Sequence, residues 1–208
     1  MIIKATDLTT KFGDRVIHDG LNFHVNEAEI YGLLGGSGTG KSTLMKTMIY
    51  LKEPSGGKVE MLGRDLWSLD EAARQEMKLA CSVMFQFGAL YTSMNVLENI
   101  YILLKEYSGM SERSMREIAM FWLQKVGLSE NVALQYPSEL SGGMKKRVAM
   151  ARALVLSPKI LFLDEPNSGL DPSSARAFDE LVVELRDTLG VTVVMVTHDI
   201  DSICTILD

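Results

Sequence analysis

The sequence predicts an α/β fold with a mainly parallel sheet, and three stretches of the chain support this class. Residues 29–34 form a short apolar run that leads into a glycine-rich loop, and residues 159–163 form a second run that ends at two carboxylates. Apolar runs of this length are typical of buried strands in a parallel sheet. From residue 95 to about 150, apolar residues recur at three- and four-residue spacing, which predicts an inserted helical lobe.

The glycine-rich loop, GGSGTGKST at residues 35–43, matches the phosphate-binding pattern G-x-x-x-x-G-K-[ST]. Its N–H groups and the N-terminus of a helix that starts near Lys41 would form a nest for an anion. Lys41 is expected to reach the β- and γ-phosphates of ATP, and Ser42 to ligate Mg²⁺. A glycine-rich turn that binds nothing is the alternative, but the preceding strand and the following amphipathic stretch favour a phosphate site. The predicted nucleotide contacts are Gly35, Gly36, Ser37, Gly38, Thr39, Gly40, Lys41, Ser42 and Thr43.

The two carboxylates at the end of the second run are Asp164 and Glu165. Ligands of open α/β sheets bind at the carboxyl ends of the strands. We expect Asp164 to hold Mg²⁺ through water and Glu165 to polarise the water that attacks the γ-phosphate. Such a pair can also be a solvated turn or a helix cap, and its occurrence together with the phosphate loop favours the catalytic interpretation.

A third motif, LSGGM at residues 140–144, precedes a stretch with helical apolar spacing. Ser141 is a plausible N-cap, and the glycines would allow an anion to approach closely. In this position the chain resembles the ATP-binding-cassette (ABC) ATPases, whose signature sequence is LSGGQ; Met144 stands where Gln is usual. The resemblance extends over the whole chain.

The resemblance implies further site residues. Phe12 corresponds to the aromatic that stacks on adenine, although it could be an ordinary aromatic at a strand end. Gln86 corresponds to the Q-loop glutamine, which contacts Mg²⁺ and the attacking water and senses the transmembrane partner. His198 corresponds to the switch histidine that contacts the γ-phosphate, whereas His18 and His24 lack a motif and are expected to be structural.

The resemblance also implies a homodimer in the ATP-bound state. Two chains would enclose two ATP molecules head to tail, so that each phosphate loop faces the signature of the other chain. The partner chain would contribute Ser141, Gly142, Gly143 and, from the D-loop at residues 168–171, Asp171. The predicted reaction is in-line attack of water on the γ-phosphoryl group, with Glu165, His198, Gln86 and Lys41 as the catalytic residues.

The implied architecture is a single P-loop NTPase domain of the ABC type over residues 1–208. Its mainly parallel core, with an N-terminal antiparallel β part of short strands and turns, would comprise residues 1–94 and 151–208, and the helical lobe about 95–150. Ser93 or Asn95 and Ser111 are the expected caps in the lobe, and residues 173–189 and 191–196 are the expected last helix and strand. The chain stops ten residues after His198, where this family normally continues, so we expect that part of the C-terminal end is missing.

Composition restricts the cellular compartment and the partners that the chain is expected to have. The two cysteines, Cys81 and Cys204, are too few for a disulfide framework and favour a reducing compartment. No signal peptide and no run long enough to cross a bilayer are evident, so transport would require a separate membrane permease. The net charge of −6 argues against broad binding of nucleic acid, and the basic run at residues 145–147 is expected to be a solvated helix face.

Two segments refine the family assignment. Residues 85–99 and 140–152 resemble the ATPases of MCE-associated lipid transporters, the Mla type. This implies an ATPase on the cytoplasmic face of the inner membrane, bound there through its permease, with an MCE-domain lipid-binding protein as a further partner and phospholipid as cargo. An ATPase of an amino-acid or metal importer or of a lipoprotein exporter remains the alternative. A soluble ABC ATPase is disfavoured, since the chain has no room for a long coiled coil and has one phosphate loop.

Five methionines fall near Gln86 or in the predicted lobe. Flexible thioethers suit either a docking groove for the permease or the filling of a core. We hypothesise that some of them line such a groove. The five are Met84, Met94, Met110, Met115 and Met120.

Overall fold

The computed structural model describes residues 1–36, 38–198 and 206. The strands within these residues are β1 (Ile3–Phe12), β2 (Arg15–Val25), β3 (Ile30–Leu33), β4 (Gly56–Met61), β5 (Arg64–Asp65), β6 (Cys81–Met84), β7 (Ile160–Asp164) and β8 (Thr192–Val196). The α-helices are α1 (Lys41–Met48), α2 (Glu71–Ala80), α3 (Val96–Tyr107), α4 (Glu112–Lys125), α5 (Gly142–Leu154) and α6 (Pro172–Leu189). Short 3₁₀ turns occupy Leu66–Ser68, Glu130–Val132 and Pro137–Glu139.

The strands form two sheets, as the sequence predicts. One is antiparallel with the order β2-β1-β4-β5, and the other has the order β3-β8-β7-β6. Every recorded pair of the second sheet is parallel. The predicted combination of a parallel core sheet and an N-terminal antiparallel part is therefore confirmed.

The register of the parallel sheet aligns the carboxyl ends of its strands. Leu33 at the end of β3 pairs with Val196 at the end of β8, and Val196 pairs with Asp164 at the end of β7. On the other side of β7, Met84 pairs with Leu163. The loops that follow these four strands consequently leave the same edge of the sheet, where ligands of open α/β sheets bind.

Both faces of the parallel sheet are covered, which explains its apolar strands. In β7, Ile160 and Phe162 belong to a core cluster shared with β1, β4 and α1, because alternate side chains of a strand point to opposite faces. Leu161 and Leu163 belong to a second cluster shared with the helices α3 to α6. The parallel sheet thus lies between the antiparallel sheet and α1 on one face and helices α3 to α6 on the other.

Most of the predicted helix starts have the expected caps. Asn95 caps α3 in a capping box with Glu98, and Ser111 caps α4. Ser141 accepts a hydrogen bond from the N–H of Met144 and caps α5. Asp171 caps α6, which begins at Pro172, one residue before the predicted start.

Three local features differ from the sequence-based expectation. The first two strands have 10 and 11 residues and are not short. Helix α2 has no counterpart among the predicted helices, and it buries only Met77. Helix α5 continues to Leu154 and crosses the predicted boundary at residues 150–151, while the division into core and lobe itself remains a prediction. Within the part of the chain that the structure describes, no helix has both the length and the apolar character of a membrane span.

Candidate functional site

The phosphate loop depends on glycine at two of its positions. Gly35 and Gly40 have φ angles of 147° and 100°, and a side chain at either position would meet a neighbour. A Cβ on Gly35 would lie 2.9 Å from Oγ1 of Thr39, and one on Gly40 would lie 2.6 Å from Nε2 of His18. The loop therefore requires these two glycines, while the predicted contact Ser37 lies outside the described residues.

Lys41 folds back over this loop. Its Nζ donates hydrogen bonds to the carbonyl oxygens of Gly35, at 2.5 Å, and Gly36, at 2.9 Å. Helix α1 begins at Lys41, and its N-cap Gly40 offers no side-chain acceptor. The ammonium group and the N–H groups of the first helical turn thus form the positive end of a site suited to phosphate.

A cleft of about 310 Å³ adjoins the loop and contains Phe12. Residues 38–43, Arg15 and Ile17 also line it. The Phe12 side chain is 52% exposed, and Nζ of Lys52 lies 4.9 Å from its ring centroid. The structure thus brings the predicted adenine-stacking residue and the phosphate loop, including Ser42 and Thr43, to the same cleft.

The acid pair lies at the end of β7, where Glu165 has an unusual backbone. Its φ of 47° is in the left-handed region. Its N–H donates to the carbonyl oxygen of Val196 at 2.8 Å, and its carbonyl oxygen accepts from the N–H of Ser168 at 3.1 Å. These hydrogen bonds hold a backbone conformation that costs about 1 kcal/mol or more in a non-glycine residue.

Glu165 and His198 are in direct contact. Nδ1 of His198 lies 2.8 Å from the carboxylate of Glu165. The two residues follow the neighbouring strands β7 and β8, whose register brings them together. The predicted water-activating residue and the predicted γ-phosphate sensor therefore form one unit.

Asp164 precedes this unit and is half-buried. Burial raises the pKa of its carboxyl group above the usual value, and the neighbouring charge of Glu165 raises it further. The positive charges of Lys46, Lys146 and Lys41 oppose this shift. These three cations partly offset the negative charge of the two neighbouring carboxylates.

Gln86 follows β6 in the next loop along the same edge. Its Nε2 donates to Oγ of Ser168 at 2.9 Å. This hydrogen bond joins the predicted Q-loop to the predicted D-loop and leaves the amide oxygen of Gln86, the atom that can ligate a metal, outside the contact.

The signature segment packs against the D-loop and the start of α6. A Cβ on Gly142 would lie 3.9 Å from Leu170, and one on Gly143 would lie 3.9 Å from Oγ of Ser174. Asp171 lies between these two residues and accepts from the N–H groups of Ser173 and Ser174. Signature and D-loop thus form one exposed cluster.

The donor atoms near the phosphate loop fit Mg²⁺. Ser42 offers a hydroxyl, Asp164 a carboxylate and Gln86 an amide oxygen, and Mg²⁺ prefers hard oxygen ligands supplemented by water and substrate phosphates. No group of three or more His, Cys, Asp or Glu residues with the arrangement of a metal site occurs among the described residues. Three protein oxygens would leave the other positions around such an ion to water and substrate phosphates.

Three contacts were not found from the sequence. Lys146 is buried, and its Nζ donates to the carbonyl oxygens of Gln86 and, at 3.4 Å, of Glu165. His18 bonds Thr10 through Nδ1 at 2.8 Å and packs against the phosphate loop. Lys52 lies over Phe12. No sequence signal pointed to these contacts, because the partners are distant in the chain or are backbone atoms.

The chain matches the model of a known protein family. A family model described as ABC transporter matches residues 18–168. This range includes the phosphate loop, Gln86, the signature segment and the acid pair.

Curated relatives align over nearly the whole chain. The intermembrane phospholipid transport system ATP-binding protein MlaF of Haemophilus influenzae is 37% identical over 100% of this chain and 78% of its own length. The probable ribonucleotide transport ATP-binding protein mkl of Mycobacterium leprae is 37% identical over 99% of this chain. The methionine import ATP-binding protein MetN 1 of Rhodococcus jostii is 36% identical over 100% of it. The chain spans 59% and 62% of these last two relatives.

Two solved structures share the fold. cbiO1 of Clostridium perfringens, part of an ABC transporter complex, has a TM-score of 0.91 and 30% identity, with 100% of this chain and 82% of that chain covered. A dimeric ATP-binding cassette in a post-hydrolysis state, bound to ADP and Pi, has a TM-score of 0.85 and 31% identity, with 96% and 89% covered.

Proposed function

The chain belongs to the ABC transporter family and is an ATPase, and we propose that it drives a separate membrane permease for phospholipid or a related hydrophobic molecule. The observation that carries the catalytic part of this proposal is the contact between Glu165 and His198 at the sheet edge that also bears the phosphate loop. Through its permease, the chain would lie on the cytoplasmic face of the inner membrane.

In the proposed mechanism, the side chains divide the work of phosphoryl transfer. Lys41 moves from the loop carbonyls to the β- and γ-phosphates, because a phosphate is a stronger hydrogen-bond acceptor than a backbone carbonyl. Glu165 orients and polarises the attacking water, and His198 holds that carboxylate and contacts the γ-phosphate. Phe12 stacks on adenine.

Ser42, Gln86 and, through water, Asp164 would hold Mg²⁺. When bound, the metal would neutralise the charge that develops on the phosphate oxygens. The raised pKa of Asp164 follows from its burial, and a bound cation would favour its ionised form.

Dimerisation would complete the site. Within its own chain, the signature at Ser141, Gly142 and Gly143 lies next to the D-loop and the start of α6. A second chain could therefore present its signature, with Asp171, to this phosphate loop. The relative that is dimeric and bound to ADP and Pi supports dimerisation. The exposed N-terminus of α5 would then face the γ-phosphate with its positive end.

A groove of about 370 Å³ beside Gln86 is the proposed docking site for the permease. Apolar and aromatic side chains from α2, the Q-loop and α3 line it, among them Leu79, Phe85, Tyr91, Leu103 and Tyr107. Phe87 in the same loop is 84% exposed. An apolar groove at the Q-loop would couple the permease to the catalytic residues.

The methionine hypothesis is not supported by this groove. Its described lining contains none of the five methionines. Met84 and Met115 are buried in the core, and Met110 is 47% exposed. The buried methionines fill the core. Aromatic side chains line the groove where we had expected methionines.

Phospholipid as cargo is supported by the relative named for phospholipid transport. The relative named for methionine import supports an importer as the second candidate. The two differ in their partners. Mass spectrometry of proteins that co-purify with the tagged chain from native membranes would distinguish them, because a permease with an MCE-domain protein supports lipid transport and a permease with a solute-binding protein contradicts it.

A further inference from the structure

One face of helix α5 contacts the backbone of the Q-loop. Lys146 donates to the carbonyl oxygen of Gln86, and six residues later Arg152 donates to the carbonyl oxygens of Gly88 and, at 2.8 Å, Ala89. Residues spaced by three or four lie on the same face of a helix. Ala149, three residues from each, lies between Lys146 and Arg152, so this side of α5 contacts Gln86, Gly88 and Ala89 of the loop.

Ala149 lies midway along this face and sets its distance from the loop. A Cβ on Gly88 would lie 3.1 Å from Cβ of Ala149. Gly88 has a φ of 72°, which also favours glycine. The loop and the helix are therefore packed as closely as a glycine and an alanine permit.

Lys146 makes a second contact that Arg152 does not make. Its Nζ lies 3.4 Å from the carbonyl oxygen of Glu165, the residue with the left-handed backbone. Lys146 of α5, the helix that begins in the signature, thus donates hydrogen bonds both to the loop after β6 and to the loop after β7.

Burial makes these contacts strong constraints. The Lys146 residue is 5% exposed, and a buried ammonium group is costly unless its N–H groups find acceptors. Burial lowers the pKa of Lys146, while the negative charges of Asp164 and Glu165 act in the opposite direction. Moving either carbonyl away would leave part of a buried cation without an acceptor.

We propose that Lys146 is a positioning residue for ATP hydrolysis, which fixes the backbones of Gln86 and Glu165 relative to each other and to the signature helix. Its function rests on the proposed roles of these two residues. Their side chains must meet at one nucleotide, so a shift between the two loops would impair hydrolysis more than nucleotide binding.

The test compares Lys146→Met with Lys146→Arg and with Lys145→Met. Methionine retains the length and the apolar stem but lacks the donor, whereas arginine retains the donor. Lys145→Met makes the same change in charge at the adjacent, half-buried position of α5. The measurements are kcat and KM for ATP, the dissociation constant for ATP, thermal unfolding, and hydrogen exchange of the peptide spanning residues 84–92.

We expect Lys146→Met to lower kcat by roughly 10- to 100-fold, with little change in the dissociation constant for ATP. Exchange of the 84–92 peptide should accelerate at least about threefold. Lys146→Arg should restore most of both quantities, and Lys145→Met should change neither. If Lys146→Met does not fold, Lys146→Gln takes its place in the comparison.

Wild-type kcat in a folded Lys146→Met variant would overturn the proposal, and so would an equal loss in Lys145→Met. Unchanged exchange of residues 84–92 would also overturn it, because the Q-loop would then not depend on Lys146. Failure of the underlying assignment has a different result: a Glu165→Gln variant with wild-type turnover would remove the proposed role of Glu165, while the exchange experiment would still report on the contact itself.

Discussion

Nδ1 of His198 and the carboxylate of Glu165 are 2.8 Å apart. An ionised carboxylate only accepts hydrogen bonds, so the contact requires a proton on Nδ1. With the Nδ1 proton directed at Glu165, the ring can donate a hydrogen bond to the γ-phosphate only when Nε2 also carries a proton. Glu165 therefore has two tasks in the proposed mechanism, to polarise water and to orient His198.

Replacing Glu165 with Gln tests the first task. The amide can still accept from His198, but it lacks the charge that polarises water. We expect hydrolysis to fall by at least about 10²-fold, as is usual on loss of a general base, while ATP binding persists and traps a dimer. Phosphate release and size-exclusion chromatography with ATP measure both effects, with Glu180→Gln on the exposed face of α6 as the control. Turnover at the wild-type rate would contradict the assignment.

Replacing Lys41 with Ala should weaken ATP binding. Hydrogen bonds from a charged donor contribute about 1.5–3 kcal/mol, which corresponds to roughly 10- to 100-fold in affinity. Titration with a fluorescent ATP analogue measures the dissociation constant. Lys105→Ala, which removes an exposed lysine near the end of α3, is the matched control. Equal affinities of the Lys41 and Lys105 variants would show that Lys41 does not reach the phosphates.

Gly40→Ala and Gly38→Ala separate backbone strain from steric overlap in the phosphate loop. Both positions have positive φ, so each substitution is expected to cost about 1 kcal/mol or more. A new Cβ at Gly38 meets nothing within 4 Å, whereas one at Gly40 lies 2.6 Å from both His18 and Ile17. Gly40→Ala should therefore lower the unfolding temperature and ATP affinity more than Gly38→Ala. The reverse order would mean that the loop does not pack against β2 as described.

Asp171 should stabilise helix α6 as its cap. Hydrogen bonds from Ser174 hold the pKa of Asp171 below its usual value of 3.8. A carboxyl group whose pKa is lowered on folding contributes stability above 3.8 that is lost as the pH falls through the folded value. Asp171→Ala should thus lower the unfolding temperature by a constant amount near neutral pH and by less in acid. Asn caps helices about as well as Asp, so Asp171→Asn should retain most of the stability at all pH values; an equal loss in both variants would contradict the capping role.

Cys81 should react slowly with alkylating agents in the native protein. Burial raises the pKa of its thiol from 9.0 to about 12, so the reactive thiolate is scarce at neutral pH. The same shift makes stability depend on pH. Between pH 9.0 and about 12 the Cys81 thiol ionises only in the unfolded chain, so the native state loses stability as the pH rises. Peptide mass spectrometry after timed treatment with iodoacetamide measures the rate, with the denatured chain as reference. Equal native and denatured rates would show that the thiol is not shielded.

The strands of the parallel sheet and the loops at their carboxyl ends were predictable because their sequence signals are local. A strand of apolar residues followed by a glycine-rich loop, or by Asp164 and Glu165, is visible within a few consecutive positions. Caps such as Asn95 and Ser111 are similarly short-range, and the structure has them where the sequence predicts them.

Contacts between such segments were not predictable in the same way. Lys146 appears in the sequence as part of a basic run on a solvated helix face, yet it is buried, because its acceptors are backbone carbonyls 60 and 19 residues away. Every residue has a backbone carbonyl, so the sequence does not show which carbonyls accept a side-chain hydrogen bond. Helix α2 was not predicted either, although its cap, Asp70, is visible in the sequence.

The contacts from α5 to the Q-loop end on main-chain oxygens, which every amino acid possesses. The path of the loop can therefore be inherited unchanged while the outward side chain at Phe87, 84% exposed, is replaced. Natural selection can alter the outer surface of this loop to suit a new membrane partner without disturbing the residues that act on the nucleotide.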